Sequence, residues 1–279
     1  MPIESNTAPN RVAPRRVDAH AHVYTTDMPL AGTAWHRPPR DASIEEYVAT
    51  LDAHQVSHAV LAAASIYGTY HDYQTRALRR YPDRLRGTVI ADPRADLYTL
   101  ERMKADGVVG IRLQWRNVAD RPDITAPEWR VLLRRVADLN WHVHIHDDAP
   151  RLVEPLRVLE NAGVRIVVDH FGRANPEKGV DCPGFQAVLR AVERGRTWVK
   201  LSAGFRLESP EAAVSYAHAL IRHAGADRLF WGSDWPFAAF ESTVDYADTL
   251  AALDSWVPDA QDRRLIGGEN AYRFYFAED

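Results

Sequence analysis

Residues 127–170 read PEWRVLLRRVADLNWHVHIHDDAPRLVEPLRVLENAGVRIVVDH, and two periods alternate within them. The apolar residues of 127–139 recur every three or four positions, the spacing of a helix with one buried face. Val143 and Ile145 then alternate with His142, His144 and His146, which is the period of a strand. A second amphipathic stretch at 149–162 and a second β-branched run at 164–170 follow, with Gly163 where a helix C-terminus should lie. The same order extends in both directions. Strand-like runs occur at 16–22, 57–64, 85–91, 108–113, 141–146, 164–170, 197–202 and 228–233. Amphipathic segments between them include 43–54, 72–81, 95–106, 127–139, 149–162, 183–194 and 210–224. Ser43 followed by Glu46 reads as a capping box, and Gly107 marks another helix end. Eight β-then-α units predict an α/β protein, a single-domain (β/α)8 TIM barrel over residues 15–279, in preference to an open doubly wound sheet. The GxGxxG fingerprint of a dinucleotide-binding sheet is missing after the first strand. Residues 1–14, polar and interrupted by proline, read as a disordered leader.

Composition narrows the function classes. With 279 residues, 46% hydrophobic, the chain has ample material for a large core, and a net charge of −4 without basic clusters speaks against nucleic acid and membrane surfaces as partners. No run approaches the roughly 20 apolar residues of a membrane span. The lone Cys182 permits no intrachain disulfide, so a cytoplasmic enzyme is expected. Helices on the outside of a barrel leave a homo-oligomer open.

A barrel brings the C-terminal ends of its strands to one mouth, where such enzymes carry their chemistry. Those ends are loaded with polar residues. The first run places His20 and His22 on one side, the fifth ends at His146, the sixth at Asp169 and His170, and the eighth leads into Asp234. Imidazoles from three strands and a carboxylate from a fourth suit one divalent cation of the zinc or manganese type. His142 and His144 are open to a structural role inside the barrel. Arg112, Arg116, Arg173 and Arg206 follow the same strand ends and suit an anionic substrate, because a guanidinium binds carboxylate, sulfonate or phosphate through two N–H groups. Trp35, Tyr67, Tyr70 and Trp235 are candidates for walling a planar ligand.

Three stretches then carry a family resemblance: Val17-Asp18-Ala19-His20-Ala21-His22, Val168-Asp169-His170-Phe171-Gly172-Arg173 and Trp231-Gly232-Ser233-Asp234-Trp235-Pro236 resemble the amidohydrolase superfamily. The closing Ile266-Gly267-Gly268-Glu269-Asn270-Ala271 is similar to the start of its C-terminal helix. Within the superfamily the chain resembles the amidohydrolase-related lactonases of the pyrone-dicarboxylate and sulfomuconolactone type. Gly110-Ile111-Arg112, Arg173, and Arg206 after Lys200-Leu201-Ser202 are similar to their carboxylate-binding positions, and the stretch around Ser65 resembles their strand-two loop. His36 and His146 stand where tyrosines that contact substrate are expected; His146 is able to ligate a metal, which leans toward a metal-using relative.

The resemblance implies hydrolysis of an anionic lactone in aromatic-compound catabolism. Asp234 would be the general base. His20, His22 and His170, with His146 or Asp234, would hold the ion, while Arg112, Arg116, Arg173, Arg206, His36, Ser65 and His146 bind substrate. A metal-free version has the histidines polarise the carbonyl directly. A metal-dependent decarboxylase of an aromatic or muconate-type acid, a sugar lactonase and a non-catalytic binder of small acids are the alternatives.

Overall fold

Eight strands alternate with helices along the computed structural model, which describes residues 16–277; the leader expected over 1–14 lies outside the described residues. The strands are β1 (Val17–Ala21), β2 (His58–Leu61), β3 (Leu85–Val89), β4 (Val108–Gln114), β5 (His142–His146), β6 (Arg165–Val168), β7 (Thr197–Ser202) and β8 (Leu229–Gly232). Each pairs in parallel with the next in chain order. The ring closes beyond β8, where Asp234 N–H donates to the His20 carbonyl at 2.8 Å and His22 N–H to the Trp235 carbonyl at 2.8 Å. This is the predicted (β/α)8 barrel.

The intervening helices are α1 (Ile44–Ala53), α2 (Asp72–Arg80), α3 (Leu97–Ala105), α4 (Pro127–Asp138), α5 (Ala149–Asn161), α6 (Pro183–Glu193), α7 (Pro210–Ala224) and α8 (Tyr246–Trp256). They bury apolar faces on the outside of the strands, as Trp129, Leu132, Leu133 and Val136 do from α4. Gly107 and Gly163 end helices at φ +93 and +75, a left-handed backbone that a side chain would strain. At α1 only half of the expected capping box forms: the Ser43 hydroxyl accepts from Glu46 N–H at 3.1 Å, but the Glu46 carboxylate turns to Arg40 at 2.7 Å.

The chain closes through α9 (Ala260–Arg264), a wide turn over Leu265–Glu269 and α10 (Asn270–Tyr275). Ala271 and Tyr275 pack with Val17, Ala19, Val60, Val167 and Phe230 inside the barrel. The N-terminal end of the barrel is therefore plugged with apolar side chains, and polar groups gather toward the other end. Among the described residues no helix is long and apolar enough to cross a membrane.

Six of the eight strands are shorter than the runs that announce them, while β7 matches its run and β4 exceeds it by one residue. The sixth run extends to residue 170, yet β6 stops at Val168, because His170 and Phe171 take φ of +50 and +58 and leave the ladder. Arg173, Ala203 and Asp234 are also left-handed, at φ +45, +52 and +65. Such conformations in non-glycine residues cost roughly 1–3 kcal/mol each and collect where function holds the backbone. All five lie beyond strand ends at the same mouth.

One buried carboxylate ties the first strand to the last. Asp18 accepts from Ser233 Oγ at 2.5 Å, Ser233 N–H at 2.9 Å, Tyr47 Oη at 2.8 Å, Tyr246 Oη at 2.9 Å and His20 N–H at 3.1 Å. A register irregularity between Asp18 and Ala21 lets Asp18 face the helices while His20 turns into the barrel. Asp18→Ala would strand three buried hydroxyls and two backbone N–H groups, so a stability loss of about 3–5 kcal/mol is expected in chemical denaturation. A loss below about 1 kcal/mol would mean that the seam holds without this carboxylate.

Candidate active site at the barrel mouth

His20 and His22 reach the mouth together, their Nε2 atoms 3.3 Å apart. His170 follows β6 and Asp234 follows β8, and one carboxylate oxygen gathers all three imidazoles. Asp234 Oδ1 lies 3.5 Å from His20 Nε2, 3.6 Å from His22 Nε2 and 3.8 Å from His170 Nε2. The far side of each ring is anchored. His22 Nδ1 lies 2.7 Å from the Ala62 carbonyl, His20 Nδ1 3.1 Å from Asp169 Oδ1 and His170 Nδ1 2.8 Å from Ser202 Oγ. The Ala62 carbonyl only accepts, so the proton of His22 sits on Nδ1 and its Nε2 is left as a bare acceptor, whereas His20 Nδ1 lies between Asp169 Oδ1 at 3.1 Å and Lys200 Nζ at 3.4 Å.

His22 Nε2 and Asp234 Oδ1 are thus two acceptors 3.6 Å apart, and acceptors at such a distance repel unless something positive stands between them. Ligands on a tetrahedral zinc lie roughly 3.3–3.4 Å apart for bonds of about 2.0–2.1 Å, which the His20–His22 separation meets. Anchored outer nitrogens are the usual support of metal-bound histidines. The donor set therefore fits a divalent cation.

Below this set lies a second cluster around Asp169. It is hydrogen-bonded to His144 Nε2, receives Arg112 Nη2 at 3.0 Å and has Lys200 Nζ 3.9 Å away. His20, His144 and Asp169 also stand at ligating distances from one another, but here Arg112 and Lys200 already supply the positive charge. The Arg112 guanidinium on Asp169, with Lys200 beside it, makes this inner group a poor place for a metal. Burial works to raise the Asp169 pKa, but His144, His20 and Arg112 together hold it well below the usual carboxylate range. Burial drives Lys200 down to about 7 and His20 to about 3.

Asp234 shares this pattern. Burial opposes its ionisation, yet Arg206, whose Nε donates to Oδ2 at 2.7 Å, and the imidazoles keep its pKa well below the ordinary value. The Arg206 guanidinium rests against the adjoining rings of Phe205 and Phe240, at 5.0 and 5.1 Å from their centroids.

A cavity of about 240 Å³ opens above these groups. Its walls include His22, His36, Ser65, Arg112, Arg116, His146, His170, Arg173, Arg206 and Asp234. Ten of the eleven residues expected at the site thus face one space, and His20 lies just behind them. Both ring nitrogens of His146 lack a partner among the described residues, although the ring is buried 4.6 Å from that of His170. His36 pairs with Glu241 at 3.2 Å, joining the loops after β1 and β8, and Ser65 accepts from Trp35 Nε1 at 3.3 Å.

Some expectations change in detail. Arg112 gives Nη1 to the Ala63 carbonyl at 2.6 Å and Nη2 to Asp169, so its outer edge is occupied and it acts on the cavity mainly through charge. Trp35 lines the cavity, but Trp235 stacks on Tyr47 at 4.8 Å in the core, and Tyr67 is buried with its hydroxyl on the Thr25 carbonyl. His142 is structural: it packs against Phe274 and Tyr275 at the plugged end. Tyr24, Gln114, Asn117 and Phe240 also line the cavity, and nothing in their local sequence singles them out.

A family model described as Amidohydrolase matches residues 17–277. The chain is 27% identical to a 4-sulfomuconolactone hydrolase from Hydrogenophaga intermedia, covering 92% of this chain and 88% of the relative. It is 26% identical to a D-galactarolactone isomerase from Agrobacterium fabrum, over 96% and 94% of the two chains. A crystal structure from Acinetobacter baumannii, provisionally described as a 2-pyrone-4,6-dicarboxylic acid hydrolase and holding citric acid, superposes with a TM-score of 0.89. The identity there is 31%, over 94% of this chain and 99% of that one.

Proposed function

Because the chain belongs to the amidohydrolase family, we propose that it is a hydrolase that opens the ring of a lactone bearing carboxylate or sulfonate groups, with one divalent cation, zinc or manganese, at the mouth. The observation that carries this reading is the gathering of three Nε2 atoms within 3.8 Å of Asp234 Oδ1 on the floor of an arginine-walled cavity. The relatives' names support the substrate class: sulfomuconolactone, galactarolactone and pyrone dicarboxylate are all lactones bearing acid groups. Sulfomuconolactone and pyrone dicarboxylate point to aromatic-compound catabolism as the setting, whereas galactarolactone is a sugar lactone. A cytoplasmic location goes with it, since Cys182 is a buried free thiol.

His20, His22 and His170 would hold the cation together with Asp234 or His146. When bound, it supplies Lewis-acid polarisation and lowers the pKa of a water toward about 7. Arg206 fixes Asp234 through Oδ2, so that Oδ1 alone faces the reacting centre. Asp234 Oδ1 takes the proton of the attacking water as the new C–O bond forms at the lactone carbonyl. It returns that proton to the ring oxygen as the old C–O bond breaks. Arg116 and Arg173 orient an acid group of the substrate, His36 and Ser65 close the side of the cavity, and His146 faces the carbonyl region. Much of the rate then comes from positioning.

The test is a pH-stat assay on 2-pyrone-4,6-dicarboxylate run alongside loss of the pyrone absorbance. Ring opening should release one proton per ring lost, because the new acid ionises at neutral pH. Loss of the lactone without proton release would make the protein an isomerase, and carbon dioxide release would make it a decarboxylase. Inertness toward this substrate and toward sulfomuconolactone would remove the reading.

A further inference from the structure

Arg116 follows β4 and Arg173 follows β6, so they belong to different β/α units, yet both direct Nε at one atom. Arg173 Nε donates to Asp148 Oδ1 at 3.0 Å, and Arg116 Nε lies 3.4 Å from the same oxygen. With Nε engaged, each guanidinium is left with its terminal Nη groups for whatever enters the cavity. Arg206 is presented in the same way, its Nε held by Asp234.

Two like charges in one wall do not stay together unaided. Burial first, and then the charge of Arg116, push the Arg173 pKa below the ordinary guanidinium value, so the two cations feel one another. Asp148 is the anion between them. Among the described residues its carboxylate has no other partner: it stands at the N-cap position of α5 without making a side-chain capping bond, and it is half exposed. Its neighbour Asp147, in contrast, is buried and engaged by Arg121 and Arg151. The backbone reinforces this corner, since Ala149 N–H donates to the Arg173 carbonyl at 2.9 Å.

We propose that Asp148 is a positioning residue for substrate specificity, bracketing Arg116 and Arg173 into one clamp that takes an acid group of the substrate end-on, apart from the Asp234 centre. The inference rests on the reading of the cavity as a site for acid-bearing lactones. It also names which acid group that site selects: the one remote from the reacting carbonyl.

The experiment is calorimetric titration of benzene-1,3-dicarboxylate, a planar diacid with no ring ester to open and no ring nitrogen to chelate a cation, into the full chain, Asp148→Ala and Asp148→Asn. The alanine variant should bind about tenfold more weakly, one charge-assisted contact's worth. Asparagine keeps an oxygen that accepts from both Nε atoms and should recover to within about threefold of the parent. With a lactone substrate, the alanine change should appear in KM more than in kcat. Because no helix cap is lost, the melting temperature should hold, which separates positioning from misfolding. Binding by the alanine variant as tight as or tighter than the parent's would overturn the proposal, making Asp148 a competitor for the arginines. So would an asparagine variant as weak as alanine, or a parent protein that fails to bind the diacid. Binding that follows the expected order, in a protein that opens no lactone, would leave the clamp standing and remove the lactonase reading alone.

Discussion

Asp234→Asn is expected to lower kcat roughly a thousandfold, in the range a positioned general base contributes, while the protein stays folded. The amide matches the carboxylate in shape, so an oxygen can still meet Arg206 Nε, which lies 2.7 Å from the native Oδ2. What is lost is the ability to take a proton and to return it to the ring oxygen. The substitution also removes a negative charge facing three imidazoles and Arg206, so the ground-state field becomes more positive and anionic substrates should bind at least as well. A fall in kcat with KM unchanged or lower is therefore the expected pattern. Circular dichroism and thermal melting report the fold, and steady-state kinetics report the chemistry. An asparagine variant within tenfold of the parent would end the assignment of Asp234 as base.

The second large effect concerns the cation. A carboxylate held well below its ordinary pKa is a weak base toward free water, since proton transfer is efficient when donor and acceptor are matched near the working pH. Arg206 and the imidazoles thus make Asp234 well suited to facing a cation and poorly suited to acting without one. Exhaustive chelation should lower activity at least a hundredfold, with zinc or manganese restoring it. The binding should also be visible without turnover. An ion at a hundred times its Kd stabilises the native state by roughly 2.7 kcal/mol, so the apo protein should melt several degrees lower. His22→Ala should abolish that shift. Full activity in protein free of metal by elemental analysis would instead assign the histidines to direct polarisation of the carbonyl.

Much of this was legible before any coordinates. Parallel strands buried on both faces leave unbroken apolar runs, so the eight units and the order of the barrel could be counted from residues 16 to 233. The end of a barrel strand is a defined place, which is why His20, His22, His146, His170 and Asp234 could be grouped without knowing a distance. Other features depend on depth and height inside the barrel, which no local pattern encodes. Arg112 looks like Arg173 in sequence, but it stands level with Asp169 and is drawn inward to it. Asp169 becomes a hub because β1, β4, β5 and β7 each present a group at its height. Asp148 reads as an ordinary helix-start residue until two arginines from different loops are found on one oxygen. The shortening of β6 arises from the left-handed turn at His170 and Phe171, which a β-branched pattern cannot announce.

The bond between Asp18 and Ser233 spans 215 positions of the chain. Since His20 and His22 lie beside one partner and Asp234 beside the other, the proposed reacting centre is divided between the first strand of the barrel to be synthesised and the last. Closing so long a loop is entropically costly and belongs late in folding. On the proposed reading, a nascent chain would carry the two histidines but no complete cation site or base until β8 and the turn after it have been made. Catalysis would thus be withheld from chains with an unfinished barrel, and the appearance of activity during synthesis would report the closure of the ring itself.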